Sequence, residues 1–467
     1  MALKSSISGI RGTIGFNNLH ENAAVHLEDS LTPFVIVQYA AAYFTWILSK
    51  NINPIVVIGR DGRNTGEMIQ NIIQSVGIAM GIHIMDIGLT TTPTVEMSVV
   101  DFKAQGGLMV SASHNPSEWN GIKPLNELGE FLDEANFNII ENYRIQNNHF
   151  FTFVPYNKLG KIIKENNAMN NHIQKIISLD LVDVIAIKNA NFNIVIDVIN
   201  STGIEAIPML FKQLGVDNFT LIHNNYAVKF DHKPEPLPEN LSSLSKAVIE
   251  NKADLGISVD PDVDRLCFVC EDGSFYGEEY TLVTIADYYT QYKKGACVNN
   301  VCSSKSLQEI ALKNTVPYFV SKVGEINVVN KMKETNAVIG GEGSGGIIVP
   351  SLHYGRDALV GIALFLSYLA KQQCSISTLR KKYPDYPMKK DKIDIQKMDK
   401  KSAEIIANIA EKLKNYSMDF TDGLKIIFDE GWVSLRESNT EPIIRIYAEA
   451  NNEERVNTYI QLIKDLV

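Results

Sequence analysis

The sequence predicts an α/β fold, with three similar mixed α/β stretches followed by a C-terminal α+β domain. Short apolar runs alternate with helical stretches through most of the chain, the rhythm of mostly parallel sheets covered by helices. The final segment changes order to helix, hairpin, strand, helix. The 467 residues are also long enough for about three domains of roughly 150 residues each.

In chain order, the run 34–48 is interrupted by Gln38 and reads as a buried helix, shorter than the roughly 20 apolar residues of a bilayer span. Residues 55–58 form a strand ending in Gly59-Arg60-Asp61; 68–80 is helical, and 82–87 and 107–110 are further strands. The polar stretch 147–171 breaks the pattern. A second β-α-β run begins at 193–199, and a third at 254–259, continuing through a strand at 337–339 to an apolar helix at 357–370. The charged run 389–400 reads as a linker or exposed edge. Beyond it, 402–416 places Ile405, Ile406, Ile409 and Leu413 on one helical face. Residues 424–428 and 432–435 flank Asp429-Glu430-Gly431, a hairpin signal. A strand at 443–448 and a helix at 453–466 close the chain. The expected domains are 1–160, 161–253, 254–375 and 376–467.

Hydrophobic residues make up 45% and charged residues 21%, which excludes a disordered tail or a fibrous repeat. The formal net charge of −10 argues against broad binding to nucleic acid or anionic membrane. The start Met-Ala-Leu-Lys-Ser-Ser lacks the apolar core of a secretory signal, so a cytoplasmic location is expected. Cys267 and Cys270 form C-x-x-C, with Cys297 and Cys302 following. Leu266-Cys267-Phe268-Val269-Cys270 is nevertheless an apolar strand-type run without the turn residues that wrap thiolates around zinc. Buried reduced thiols are expected.

Four segments carry chemistry. Ser111-Ala112-Ser113-His114-Asn115-Pro116 follows a strand, at the carboxyl end where α/β folds usually hold ligands. It offers Ser113 beside the His114 imidazole, without a G-x-S-x-G elbow. Asp260-Pro261-Asp262-Val263-Asp264-Arg265 sets three carboxylates at alternate positions, whose mutual repulsion a divalent cation such as Mg²⁺ offsets. An EF-hand does not fit, because Arg265 replaces the turn glycine and a strand occupies the rest of the loop. A haloacid-dehalogenase-type nucleophile matches D-x-D but leaves the other segments unexplained. Gly341-Glu342-Gly343-Ser344-Gly345-Gly346 matches G-x-G-x-x-G, yet Ile347-Ile348-Val349-Pro350 follows where a dinucleotide site needs a helix. A loop in which Glu342 and Ser344 bond polyol hydroxyls is the better reading. Arg436-Glu437-Ser438-Asn439-Thr440-Glu441-Pro442, with Arg445, combines guanidinium, hydroxyl and amide donors suited to a phosphate dianion. Together the four suggest phosphoryl transfer on a phosphosugar.

Taken in order and at their spacing, S-A-S-H-N-P, D-P-D-V-D-R, G-E-G-S-G-G and R-E-S-N-T-E-P resemble the α-D-phosphohexomutase family over essentially the whole length. Supporting runs are Ser8-Gly9-Ile10-Arg11-Gly12-Thr13, Gly59-Arg60-Asp61-Gly62-Arg63 and Asn120-Gly121-Ile122-Lys123. The resemblance implies three similar α/β domains and a different fourth one around a central active-site cleft. It implies a phosphoserine at Ser113, and one Mg²⁺ per chain held by Ser113 with Asp260, Asp262 and Asp264. It further implies that Glu342 and Ser344 contact sugar hydroxyls, while Arg436, Ser438, Asn439, Thr440 and Arg445 hold the unreacting phosphate. Lys123 and His114 are the expected proton handlers, Lys123 favoured, and Arg11 and Arg265 are expected to steady charge.

The implied activity interconverts hexose or hexosamine 6-phosphate and 1-phosphate through a sugar 1,6-bisphosphate, with glucose or glucosamine 1,6-bisphosphate as activator. S-G-I-R-G-T-I-G, T-T-T-P-T-V-E-M and His353-Tyr354-Gly355-Arg356-Asp357 resemble a bacterial branch acting on glucosamine phosphate. The absence of histidine from the sugar loop and the triplet Ser438-Asn439-Thr440 resemble relatives acting on glucose or mannose phosphates. Glucosamine phosphate is the expected substrate, with a glucose or mannose phosphate mutase as the alternative and a silent phosphosugar-binding protein behind both. The intact Ser113 and three loop aspartates favour catalysis. No nucleic-acid or membrane partner is expected, and the chain is expected to be a monomer or homodimer.

Overall fold

The computed structural model describes residues 3–15, 30–146, 151–396, 401–437 and 443–467. The chain divides into two compact units, 1–281 with 345–377, and 282–344 with 378–467.

The first unit contains two sheets. The larger runs in the order Lys4–Ser6, Gly9–Thr13, Trp119–Leu125, Gly106–Val110, Ile55–Arg60, His83–Leu89, Ile162–Lys164. Its central strands Gly106–Val110, Ile55–Arg60 and His83–Leu89 are parallel. Val56, Val57 and Ile58 are each fully buried, as expected for a strand covered on both faces. Helix Pro33–Leu48 opens with Pro33 in its first turn and Thr32 as N-cap, whose hydroxyl accepts from Val35 N at 3.3 Å. It packs Tyr39, Tyr43, Phe44 and Trp46 into the core. The polar stretch read as a break instead supplies Ile162–Lys164, parallel to His83–Leu89 at the sheet edge, and helix Ala168–Ile177. An exposed edge strand needs no apolar run, which is why composition hid it.

The second sheet of this unit has the order Leu266–Cys270, Leu255–Val259, Asn193–Asp197, Asn218–Ile222. Leu255–Val259 lies parallel to Asn193–Asp197. It is therefore built with the second α/β stretch, whereas the sequence rhythm opened a third run there. Leu266–Cys270 turns back antiparallel, and Phe268 stacks on Phe365 of helix Ala358–Gln372 at 3.8 Å between ring centroids. Residues three apart on a strand face opposite ways, so Cys267 and Cys270 cannot share one ion. All four of the cysteines from 267 to 302 are buried, and burial pushes the Cys297 thiol up to about 12.

In the second unit, Cys297–Asn300 lies parallel between Tyr318–Ser321 and Ile339–Glu342. A separate antiparallel sheet runs Met388–Asp394, Ile443–Ala450, Gly431–Glu437, Leu424–Phe428, Ser417–Asp419. Helices Ser402–Lys412 and Glu453–Asp465 contribute Ile405, Ile409, Val456, Ile460 and Ile463 to its core. The expected α+β order and hairpin are both present. The charged 389–400 segment is largely the edge strand Met388–Asp394; its last four residues, 397–400, lie outside the described residues. Among the described residues no helix is long and apolar enough to cross a membrane.

Candidate active site

In the first unit, three adjoining strands bring the expected residues together. Gly106–Val110 ends at Ser111, and the chain returns antiparallel as Trp119–Leu125, with Met109 opposite Lys123. Gly121 on that return strand faces Arg11 of Gly9–Thr13. The loop between the strands carries Ser113 in a left-handed conformation, φ 49°, and the Ser111 hydroxyl accepts from Ser113 N at 2.8 Å. One side chain that sequence reasoning left without a role fixes this loop. Arg63 is buried and donates to the carbonyls of Ser113, Asn115, Pro116 and Trp119, while its Nε pairs with Asp61 at 3.2 Å.

The aspartate loop follows the carboxyl end of Leu255–Val259. Asp260 Oδ1 accepts from the backbone amides of Asp264 and Arg265 at 3.0 and 3.1 Å. The Pro261 carbonyl accepts from the hydroxyls of Ser201 and Thr202 at 2.7 and 2.8 Å. Val263, β-branched, is held at φ 59°, a strained conformation of the kind that concentrates at functional sites.

Ser113 Oγ donates to Asp260 Oδ2 at 2.8 Å and lies 3.3 Å from His114 Nδ1. Lys123 Nζ pairs with Asp262 at 2.5 Å and Asp264 at 3.5 Å. Two further partners went unassigned by sequence: Thr92, whose hydroxyl donates to Asp262, and Arg356, whose Nη2 donates to Asp264 at 2.8 Å. Both lie in the runs Thr-Thr-Thr-Pro and His-Tyr-Gly-Arg-Asp, which had served only as marks of kinship. Arg11 donates to Asn115 Oδ1 at 3.3 Å and to Ser8 Oγ at 3.1 Å, and Arg265 pairs with Glu235 at 3.3 Å.

The three aspartates are essentially fully buried, with ligand oxygens within 4.8 Å of one another. Burial, then repulsion from Asp264 and Asp262, pushes the Asp260 carboxyl well up. Burial acts the same way on Asp264, but Arg356, Lys123 and Arg265 outweigh it and hold that carboxyl below the usual range. Asp262 Oδ1 and Asp264 Oδ1 are buried without a hydrogen-bond partner. Three crowded carboxylates with two such oxygens form a hard-oxygen donor set that fits Mg²⁺. Burial lowers the Lys123 ammonium, yet Asp262 and Asp264 more than restore it, so its pKa is raised. Arg265, followed by burial and Arg11, holds His114 well below its usual value, so its imidazole is neutral near pH 7.

In the second unit, Glu342 ends strand Ile339–Glu342, and its Oε1 accepts from Asn300 Nδ2 and Gly324 N, both at 3.0 Å. Asp422 accepts from the neighbouring Val323 N at 2.9 Å and pairs with Arg436 at 2.8 Å. Arg436 stands directly opposite Arg445, and Arg445 opposite Lys392. Residues opposite one another share a sheet face, and like charges there are destabilising. Lys392 belongs to the charged edge strand Met388–Asp394. Ser344 lies in the loop after Glu342, and Ser438, Asn439 and Thr440 lie outside the described residues.

Residues 6–149, 170–273, 277–386 and 392–466 match the phosphoglucomutase/phosphomannomutase alpha/beta/alpha domains I, II and III and the C-terminal domain, respectively. A phosphoglucomutase/phosphomannomutase of Thermococcus kodakarensis is 34% identical over 436 residues, 93% of this chain and 94% of that protein. A phosphoglucosamine/phosphogalactosamine mutase of Sulfurisphaera tokodaii is 30% identical over 445 residues, 94% of this chain and 96% of that protein. Among solved structures, a phosphoglucomutase/phosphomannomutase family protein from Burkholderia thailandensis superposes with a TM-score of 0.83 at 20% identity, covering 100% of this chain and 97% of that one. With all four domain types present in order, the chain belongs to the phosphoglucomutase/phosphomannomutase family, the α-D-phosphohexomutases.

Proposed function

We propose that this phosphohexomutase interconverts glucosamine 6-phosphate and glucosamine 1-phosphate through a phosphoserine at Ser113 and a bisphosphorylated sugar. One observation carries the reading: Ser113 Oγ sits 2.8 Å from Asp260, in a three-carboxylate cluster with two buried unpartnered oxygens. In the first transfer the P–Oγ bond of phosphoserine 113 breaks and a bond from phosphorus to the free sugar oxygen forms. The neutral His114 takes up the sugar hydroxyl's proton and the Lys123 ammonium supplies one to Oγ, so atoms and charge balance; the second transfer reverses these movements on the other phosphate. A neutral imidazole can accept a proton and an ammonium can donate one, which suits His114 and Lys123 to these roles. Arg11 and Arg265 offset charge. Asp260, Asp262 and Asp264, with phosphoserine 113, would hold one Mg²⁺, which when bound offsets negative charge on the transferring group. Glu342 and Ser344 bond the sugar, and Arg436, Arg445 and residues 438–440 hold the second phosphate. A glucose or glucosamine 1,6-bisphosphate primes Ser113.

The glucosamine assignment rests on the opening S-G-I-R-G-T-I-G and the T-T-T-P-T-V-E-M run, and it agrees with the name of the Sulfurisphaera relative. The triplet Ser438-Asn439-Thr440 favours the second reading, a glucose or mannose phosphate mutase, in line with the Thermococcus relative. A coupled assay on glucosamine, glucose and mannose 1-phosphates with catalytic bisphosphate separates the two: the highest kcat/KM is expected with glucosamine 1-phosphate. Higher efficiency with glucose or mannose would overturn the assignment. Intact mass before and after phosphatase should show one labile phosphoryl group, absent in Ser113→Ala, whose turnover should fall by several orders of magnitude. Activity near wild type in that variant would exclude the phosphoserine route.

A further inference from the structure

Packed against two elements that touch the aspartate loop is a closed ring of largely buried side chains that the reaction does not use. Helix Thr92–Asp101 touches the loop with its first residue: Thr92 N donates to the Asp262 carbonyl at 3.0 Å and its hydroxyl to the Asp262 carboxylate. Glu96 stands one turn further along the same face. The segment before helix Ala358–Gln372 touches the loop twice, through Arg356 on Asp264 and through Ala358 N on the Val263 carbonyl at 3.2 Å. His353 joins the two elements, with Nδ1 3.3 Å from Glu96 and Nε2 3.4 Å from Asp357. His172, from helix Ala168–Ile177, closes the ring: Nε2 is 2.8 Å from Asp357, and Nδ1 is 2.9 Å from the Thr94 hydroxyl. Asp357 spends its other oxygen capping its helix, accepting from Leu359 N at 2.8 Å and Val360 N at 3.3 Å.

The fit around this ring is close. A Cβ on Gly355 would fall 1.8 Å from Glu96 Oε2, and one on Gly346 would fall 2.3 Å from the Arg356 side chain. Glu96, His172 and Asp357 are essentially fully buried. Thr92 and Arg356, which contact the Asp262 and Asp264 carboxylates alongside Lys123, thus hang from elements that the two imidazoles tie together.

We propose that His353, His172 and Glu96 are positioning residues for the metal-binding aspartates, acting through Thr92 and Arg356. The inference rests on the reading of Asp260, Asp262 and Asp264 as cation ligands. Outer partners of metal ligands typically change affinity by about 10–100-fold when removed; one step further out, His353→Gln is expected at the low end, about tenfold. The test is Mn²⁺ binding to the full dephosphorylated chain, read by electron paramagnetic resonance, alongside the melting temperature of the metal-free protein and the Mg²⁺ dependence of turnover. His353→Gln and Glu96→Gln should each weaken Mn²⁺ binding and raise the half-saturating Mg²⁺, while kcat recovers at saturating metal. Glu96→Gln retains size and acceptor, so it covers the case in which His353→Gln does not fold. Unchanged Mn²⁺ affinity in folded variants, with only a lower melting temperature, would reduce the ring to packing and overturn the inference. A wild-type chain that binds no Mn²⁺ would overturn the cation site itself, and the inference with it.

Discussion

Arg63 shows how much of the site depends on a residue that does no chemistry. Its guanidinium is planar with five donors in a fixed fork, and here it spans four carbonyls of the serine loop and the Asp61 carboxylate. Those carbonyls run from Ser113 to Trp119, so the left-handed turn that presents Oγ is held along the segment that follows it. Arg63→Ala leaves Asp61, with no solvent exposure, as an unpaired buried carboxylate. Breaking a buried pair in this way typically costs about 3–5 kcal/mol, and the urea midpoint for the first unit should fall accordingly. Arg63→Lys restores a charge near Asp61 but cannot reach the four carbonyls, so stability should recover in part while phosphoserine formation stays low. An Ala variant within about 0.5 kcal/mol of wild type, the range of ordinary surface substitutions, would remove Arg63 from this role.

At the scale of elements, the parallel strands and the C-terminal hairpin were legible because buried strands must be apolar and hairpins need turn residues. Ile162–Lys164 was not, since an edge strand leaves no such mark. The four site motifs were legible because reactive groups crowd into single loops. Thr92, Arg356, Glu96 and His172 were not, because each matters through a partner far away in sequence, and no local spacing encodes that. The ring they form also carries a pH signature. Burial lowers the His353 imidazolium, but Asp357 and Glu96 outweigh that and raise its pKa to about 10; the His172 ring also faces it, at 6.1 Å between ring centroids. A histidine in an unfolded chain titrates near 6.5. The stabilisation from His353 is therefore fully present below about pH 6.5 and is lost as pH rises through about 10. Melting temperatures of wild type and His353→Gln should differ most at pH 6 and converge toward pH 10; a gap that is constant across that range would show that charge on His353 contributes nothing.

For the whole molecule, a formal charge of −10 describes the surface and misdescribes the site, where Arg11, Arg63, Lys123, Arg265 and Arg356 gather around three buried aspartates and Ser113. That balance changes with the state of Ser113. A phosphoryl group adds about −1.5 to −2 charges at pH 7 and three acceptor oxygens, beside carboxylates that already repel one another strongly enough to push Asp260 up. Cation binding should therefore be tighter in the phosphorylated chain, because the ion gains a ligand and relieves a larger repulsion. A ligand at a hundred times its dissociation constant stabilises a fold by about 2.7 kcal/mol, and for units of this size about 1 kcal/mol moves the melting temperature by roughly 2–4 °C. Saturating Mg²⁺ should thus raise the melting temperature of the phosphorylated protein by several degrees over the same protein in EDTA. Phosphatase treatment should reduce that shift at any fixed, subsaturating Mg²⁺, and Asp262→Asn should reduce it in both states. If the shift were the same with and without phosphate on Ser113, the serine and the aspartate loop would not be sharing one ion.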